Sequence, residues 1–269
     1  MRVHLDSKGT DEAKSESDLG IATKGQEEDF CTVIDVMNEK LVMEAIQKHF
    51  PDHDIIGEET TGTGEIPKLS ATTPTWIIDP IDGTTNFAAG LPLECVSIGY
   101  CVGGEPVMGV VYSPMTQEVY MTVKGYGAYR NGVRLSTNNA SSSSSPTSLS
   151  KAVVNYEFGY AREEAAIRRM VQAVENIMKH GCRSTRTLGS GVLDLCYVAS
   201  RRLDVVYAGV ANEGWKPWDY CAGMLMVTEA GCCIQSLQGD DFNLYSNSII
   251  CATSKELLEE TRTVLMKGL

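Results

Sequence analysis

No apolar run in the 269 residues approaches the length of a bilayer span, although 43% of them are apolar. Such a chain is expected to bury a large core and to stay soluble, away from membranes. The stretch after Arg2 and His4 carries no apolar segment, so no secretory signal is expected. Paired cysteine spacing is missing as well. The nine cysteines are odd in number and lack a Cys-x-x-Cys pair, which argues against a disulfide framework or zinc cage and favours a reducing, cytoplasmic setting. Basic residues are in deficit: 23 Lys and Arg face 35 Asp and Glu, for a net charge of −12. They are scattered rather than striped, which argues against nucleic acid as a partner. Of the four histidines, His49 and His53 stand four apart, but Pro51 between them disfavours a shared helical face, so both are read as surface residues.

What is present centres on Trp76-Ile-Ile-Asp-Pro-Ile-Asp-Gly-Thr-Thr-Asn-Phe87. Trp76, Ile77 and Ile78 form a β-branched and aromatic run suited to a buried strand, and Pro80 cannot donate to a ladder. The strand is therefore expected to stop near Asp79. The turn that follows aims the carboxylates of Asp79 and Asp82, with the Ile81 carbonyl, to one side, a set of hard oxygens of the kind magnesium prefers. Gly83 permits close backbone approach, and Thr84 and Thr85 offer hydroxyls and amides where a helix can begin, an arrangement suited to an anion. An ordinary Asx turn capped by Asp82 does not require the first Asp, the Pro and both Thr together.

The run Asp79-Pro80-Ile81-Asp82-Gly83-Thr84-Thr85-Asn86-Phe87 resembles the signature of the inositol monophosphatase family. Ile56-Gly57-Glu58-Glu59-Thr60 resembles that family's Gly-Glu-Glu element. Trp218-Asp219-Tyr220-Cys221-Ala222-Gly223 resembles its Trp-Asp-x-x-Ala-Gly element, and Thr228-Glu229-Ala230-Gly231 follows. The likeness runs from about Lys24 to the end of the chain. It implies an α+β fold, the layered αβαβα sandwich shared with fructose-1,6-bisphosphatase, and a magnesium-dependent, lithium-sensitive phosphomonoesterase acting on inositol 1-phosphate as a homodimer.

The resemblance assigns Glu58, Asp79 and the Ile81 carbonyl to one metal, Asp79, Asp82 and Asp219 to a second, and a third, weaker ion near Glu58. If those four acids converge, each pair at about 4 Å repels by roughly 4 kcal/mol at an effective dielectric of 20, so the metal-free site is expected to be partly protonated or mobile. Two magnesium ions balance four carboxylates, and a third offsets the phosphate. No Ser-His or Cys-His arrangement stands out, so water is the expected nucleophile. Thr84 and Glu58 resemble the family pair that orients and deprotonates it. Asp35 lies where the family has an Asp that bonds this Thr; an acid of the first helical turn facing the dipole is the other reading, and spacing alone does not separate them. Gly83 and Thr84 are implied to hold phosphate. Asp82, Asp219, Gly189, Ser190 and Gly191 are implied to contact the polyol. Where the family commonly has a Glu seven residues before the Trp-Asp aspartate, this chain has Asn212, with Glu213 one residue later in a lengthened stretch up to Pro217. Glu213 is assigned to substrate on that ground.

Residues 1–23 are polar and lack the amphipathic helix with which the family usually opens, so either this segment is disordered or the chain starts late. A single catalytic domain over 24–269 is expected, with subdomains 24–135 and 151–269 joined by the serine-rich stretch 136–150. Ile34, Met37, Leu41, Ala45 and Ile46 recur at helical spacing within 32–50. Antiparallel strands are expected over 93–135, with hairpin turns at Gly103-Gly104 and Asn131-Gly132. Beyond the serines, strands near 152–155 and 203–207, a strand pair within 232–253, and helices near 163–180, 190–200, 218–229 and from Lys255 are expected. Three rivals remain. A haloacid-dehalogenase phosphatase would need Asp-x-Asp rather than Asp-x-x-Asp. A bisphosphate nucleotidase tends to carry a basic residue where Thr85-Asn86 stands. A non-catalytic scaffold would not need every liganding acid. Sugar 1-phosphates and histidinol phosphate stay open as substrates.

Overall fold

The computed structural model describes residues 20, 22–23, 30–135 and 146–269. Most of the polar opening segment and the serine run 136–145 therefore lie outside the described residues. Strands β1 (Ala22–Thr23) and β2 (Phe30–Cys31) pair antiparallel ahead of helix α1 (Val33–His49). A seven-stranded sheet follows in sequential order: β3 (Asp54–Gly57), β4 (Thr75–Asp82), β5 (Cys95–Val102), β6 (Glu105–Ser113), β7 (Glu118–Val123), β8 (Gly127–Arg130) and β9 (Val133–Leu135). Only the β3–β4 pair is parallel. Short helices α2 (Glu58–Thr61) and α3 (Thr84–Ala89) flank β4 in sequence.

The second half forms a five-stranded sheet ordered β11-β10-β12-β14-β13, from β10 (Val153–Glu157), β11 (Ser184–Arg186), β12 (Val205–Ala208), β13 (Cys233–Gln235) and β14 (Ile249–Ala252). Its helices are α4 (Glu164–His180), α5 (Gly191–Ala199), α6 (Pro217–Glu229) and α7 (Lys255–Leu265). Strand β12 shows how the layers stack. Val206 and Ala208 join a core with α5, α6 and the seven-stranded sheet, while Val205 and Tyr207 join another with α4 and α7. Alternate residues of a strand face opposite ways, so this small sheet is covered on both faces. Helix α1 packs against β4, completing the expected αβαβα sandwich.

Helix α5 is buried along its whole length, as a helix apolar on nearly every side must be. Helix α6 lies close on the sheet: a Cβ on Gly109 would come within 2.8 Å of the Ala222 backbone, and one on Gly223 within 2.5 Å of Leu195. The Ala-Gly of the Trp-Asp motif is thus a packing device. Glu229 at the far end of α6 accepts the Gly125 and Gly127 amides (2.8 and 2.9 Å), tying the helix to the β7–β8 turn.

Several expectations need correction. Strand β4 does not stop at Asp79 but continues through Pro80 to Asp82. The register slips there, Asp79 facing Ser97 and Asp82 facing Cys95, so one extra residue bulges where Pro80 needs no ladder bond. Helix α1 forms as its spacing predicts, but of its apolar positions only Ile46 is buried, Met37 and Leu41 being 60% and 68% exposed, and Asp35 and Glu39 are buried beside it. His53 is no free surface residue. It is half-buried among Phe50, Trp76 and Tyr100, its Nδ1 accepting the Trp76 indole N–H at 3.0 Å; His49 is exposed. The end of the serine-rich stretch is anchored, with Leu149 fully buried in a 3₁₀ turn and its amide on Glu260 (2.8 Å). The short strands β3 and β11 were not foreseen. Both hairpin turns were: Gly103, Gly104, Asn131 and Gly132 all have positive φ.

Candidate active site

The bulge at the end of β4 brings Asp79 and Asp82 together with Asp219, from the first turn of α6, so that one oxygen of each lies within 4.8 Å of the others. Asp79 and Asp82 are 1% and 8% exposed, and Asp219 is half-buried. Glu58, the first residue of α2, joins them: its carboxylate is in hydrogen-bond contact with Asp79. Four acids from β4, α2 and α6 thus converge, as the charge argument required.

Their surroundings are unequal. Asp79 Oδ1 has no donor among the described groups. Burial, then the charges of Glu58, Asp82 and Asp219, push its carboxyl well above the usual carboxylate range. Asp219 Oδ2 accepts the Lys216 amide (2.6 Å), yet burial and the neighbouring Asp82 and Glu58 push it up too. Asp82 is better served. Its Oδ2 accepts the Ser190 hydroxyl and the Val192 amide (2.9 Å), and the Gly191 amide assists, so burial raises it only to about 6. An all-oxygen donor set with an orphaned buried carboxylate oxygen fits a hard divalent cation.

Thr84 opens α3 after Gly83, whose φ of 87° turns the chain from strand to helix. Its hydroxyl lies 3.0 Å from the Ile81 carbonyl and 3.3 Å from Asp35 Oδ1. Asp35 also caps its own helix, Oδ2 accepting the Thr32 amide (2.8 Å) and hydroxyl (2.5 Å), so both sequence readings of this acid hold together. The turn Gly189–Gly191 adjoins the cluster, but the Ser190 side chain is 1% exposed and engaged with Asp82 rather than open to a ligand. Glu213 closes on its own loop: Oε2 accepts the Ala211 amide (2.5 Å), Oε1 is buried with no donor among the described residues, and the side chain lies against Gly159. Asn212 adopts a left-handed φ of 65°.

Sequence reasoning missed Glu39 and Asn86. Glu39, 2% exposed, accepts the Glu59 amide (2.8 Å), the Thr60 amide (2.7 Å) and the Thr60 hydroxyl, and thereby holds α2 and Glu58 in place. A Cβ on Gly57 would meet its carboxylate at 2.4 Å, which gives the Gly of Gly-Glu-Glu its reason. The available signal was its spacing of four from Asp35, one helical face. Asn86 Nδ2 bonds the Leu93 carbonyl (2.8 Å) and the Leu188 carbonyl (2.7 Å), tying the signature helix to the serine turn.

The layered fold and its acid cluster define a class of α+β proteins that gather hard cations at the end of a sheet. The profile of the inositol monophosphatase family matches residues 6–267, and the chain belongs to that family. The match begins well before Lys24, so the likeness reaches further toward the N-terminus than the motifs alone suggested. Inositol monophosphatase 1 of Solanum lycopersicum is 38% identical over 240 residues, 89% of this chain and 83% of that protein. Inositol monophosphatase 1 of Bos taurus is 33% identical over 243 residues, covering 90% and 84%. Among solved structures, the Thermotoga maritima IMPase superposes with a TM-score of 0.77 at 30% identity, covering 92% of this chain and 87% of its own. The Bartonella henselae suppressor protein suhB gives 0.81 at 26%, covering 94% and 90%.

Proposed function

We propose that this chain hydrolyses inositol 1-phosphate to inositol and inorganic phosphate, with magnesium as its metal. The observation that carries the reading is the buried cluster of Asp79, Asp82 and Asp219, with Asp79 Oδ1 left without a donor, in a member of this family. Glu58, Asp79 and the Ile81 carbonyl would hold one ion, Asp79, Asp82 and Asp219 a second, and Glu58 a third, weaker one. When bound, magnesium polarises phosphoryl oxygens and makes water acidic enough to serve as nucleophile near neutral pH.

The remaining work falls to the chain. Asp35 accepts a hydrogen bond from the Thr84 hydroxyl, which leaves a Thr84 lone pair to orient the attacking water, and Glu58 takes that water's proton. The amides of Gly83 and Thr84 hold phosphoryl oxygens at the start of α3. Asp82, Asp219 and Gly189, the exposed residue of the turn Gly189–Gly191, face the leaving polyol, with Glu213 on the adjoining loop. A second reading, a sugar 1-phosphate or histidinol phosphate as substrate, is favoured by one observation: Asn212 occupies the position of the usual carboxylate, and Glu213 is turned into its own loop. A bisphosphate nucleotidase is less well supported, given Thr85-Asn86.

Phosphate release from inositol 1-phosphate, sugar 1-phosphates and histidinol phosphate, each with and without magnesium, tests this. Turnover that survives chelation sinks the metal reading, and a preference for another ester replaces the substrate. The further expectations are a homodimer, checked by gel filtration, inhibition by lithium, checked by titration, and a cytoplasmic location, in keeping with the free cysteines of the described residues.

A further inference from the structure

Behind the serine turn lies a second pair of acids that the proposed chemistry does not use. Asp194, in the first turn of α5, is fully buried, and Glu157 ends β10, half-buried. Their carboxyls are in hydrogen-bond contact. Asn155, also fully buried, donates Nδ2 to both, at 2.8 Å to Asp194 Oδ2 and 3.2 Å to Glu157 Oε1. Asp194 Oδ1 has no donor among the described groups. The same Glu157 Oε1 accepts the amides of Leu188 (2.7 Å) and Gly189 (2.9 Å). Those residues lead into Ser190, whose hydroxyl reaches Asp82, while Asn86 holds the Leu188 carbonyl. The turn is gripped on its amide side by Glu157 and on its carbonyl side by Asn86.

Two ionised carboxylates in contact at this depth repel, and the titratable groups that face Asp194 offer no cation. Glu157 comes from β10, Asp82 from β4, Cys196 from α5 itself and Cys251 from β14. One proton must sit between the two acids. Glu157 Oε1 receives three N–H donors, whereas Asp194 receives one and lies deeper. Burial, then the charges of Glu157 and Asp82, push the Asp194 carboxyl well above the usual carboxylate range.

We propose that Asp194 carries this proton and donates it to Glu157, making the pair a positioning device for the turn Leu188–Ser190 and, through Ser190, for the carboxylate of Asp82. Its effect on metal rests on the proposed function; its protonation does not. Outer partners of metal-binding residues are worth about 10–100-fold in affinity when lost. The pair differs from mere packing in one respect: an Asn at 194 keeps a donor for Glu157, while an apolar residue of similar size does not.

The test compares the full-length protein with Asp194→Asn and Asp194→Ala by infrared difference spectroscopy, magnesium titration calorimetry and thermal melting. The wild-type-minus-Asp194→Asn spectrum is expected to show a protonated-carboxyl band near neutral pH, in metal-free and magnesium-saturated protein alike. Asp194→Asn is expected to keep magnesium affinity within about twofold, and Asp194→Ala to lose about tenfold. Should Asp194→Ala fail to fold, Asp194→Leu fills the space without a donor and takes its place. Absence of the band, or magnesium affinity unchanged in the apolar variant, overturns the proposal. Failure of the wild type to bind magnesium at all, with the band present, overturns the metal reading and the link to Asp82 while leaving the protonated pair standing.

Discussion

Asp79 and Asp82 stand three residues apart on one strand, yet they meet two very different regions of the molecule. On the side of the large sheet, Asp79 faces Glu58 and Asp219 and keeps an oxygen with no donor among the described residues. On the side of the serine turn, Asp82 is received by a hydroxyl and by amides at the start of α5. Burial penalises both carboxylates, but donors offset it at Asp82, which rises only to about 6, whereas at Asp79 the neighbouring acids add to it. One acid is held by the protein as a rigid ligand. The other is left high in free energy until a cation arrives, which is how folding stability is exchanged for binding affinity.

Four experiments break or sharpen that contrast. The largest effect is expected from Asp79→Asn, which removes the unmet charge: turnover should vanish while the melting temperature of the metal-free protein holds or rises. An active Asp79→Asn enzyme refutes the assignment. Next comes Glu39→Ala, which frees the amides of Glu59 and Thr60. Magnesium affinity, read by calorimetry, should weaken about 10–100-fold, with partial rescue by Glu39→Gln. The pH dependence is smaller. Carboxyls raised above their unfolded values bind protons more tightly when folded, so metal-free protein should lose stability as pH climbs through about 6. Melting near pH 8 should then fall below melting near pH 5 by roughly a few degrees, and saturating magnesium should close the gap. A metal-free melting curve that does not depend on pH would show that the cluster carries no such strain. The smallest effect is expected at Leu41→Lys on the exposed face of α1, within about 0.5 kcal/mol by denaturant melting. A large loss there would mean that the inward face of α1 is its apolar one after all.

That last contrast also explains where sequence reading succeeded and where it did not. Spacing located α1 and its end at Pro51, because helical periodicity and a proline stop are local properties. It did not say which face is buried, because Asp35 and Glu39 are buried for their hydrogen bonds to Thr32, Thr84, Glu59 and Thr60, none of which periodicity can weigh. The carboxylates of the signature were legible because they stand three residues apart in one short run of chain. Glu157 and Asp194 carried no signal, since two acids 37 residues apart in sequence become partners only when β10 and α5 are brought together.

The sequence by itself determined the strand-and-turn chemistry at Asp79–Thr84, the mixed α+β class, and the acids available to a metal, because those depend on neighbouring residue types. Tertiary structure decided which acids stand unmet and which are held, that Ser190 serves Asp82, and that Glu213 folds back on its own loop. The first two depend on donors supplied from elements distant in the chain, and the third on an amide only two residues away that the loop's conformation happens to present.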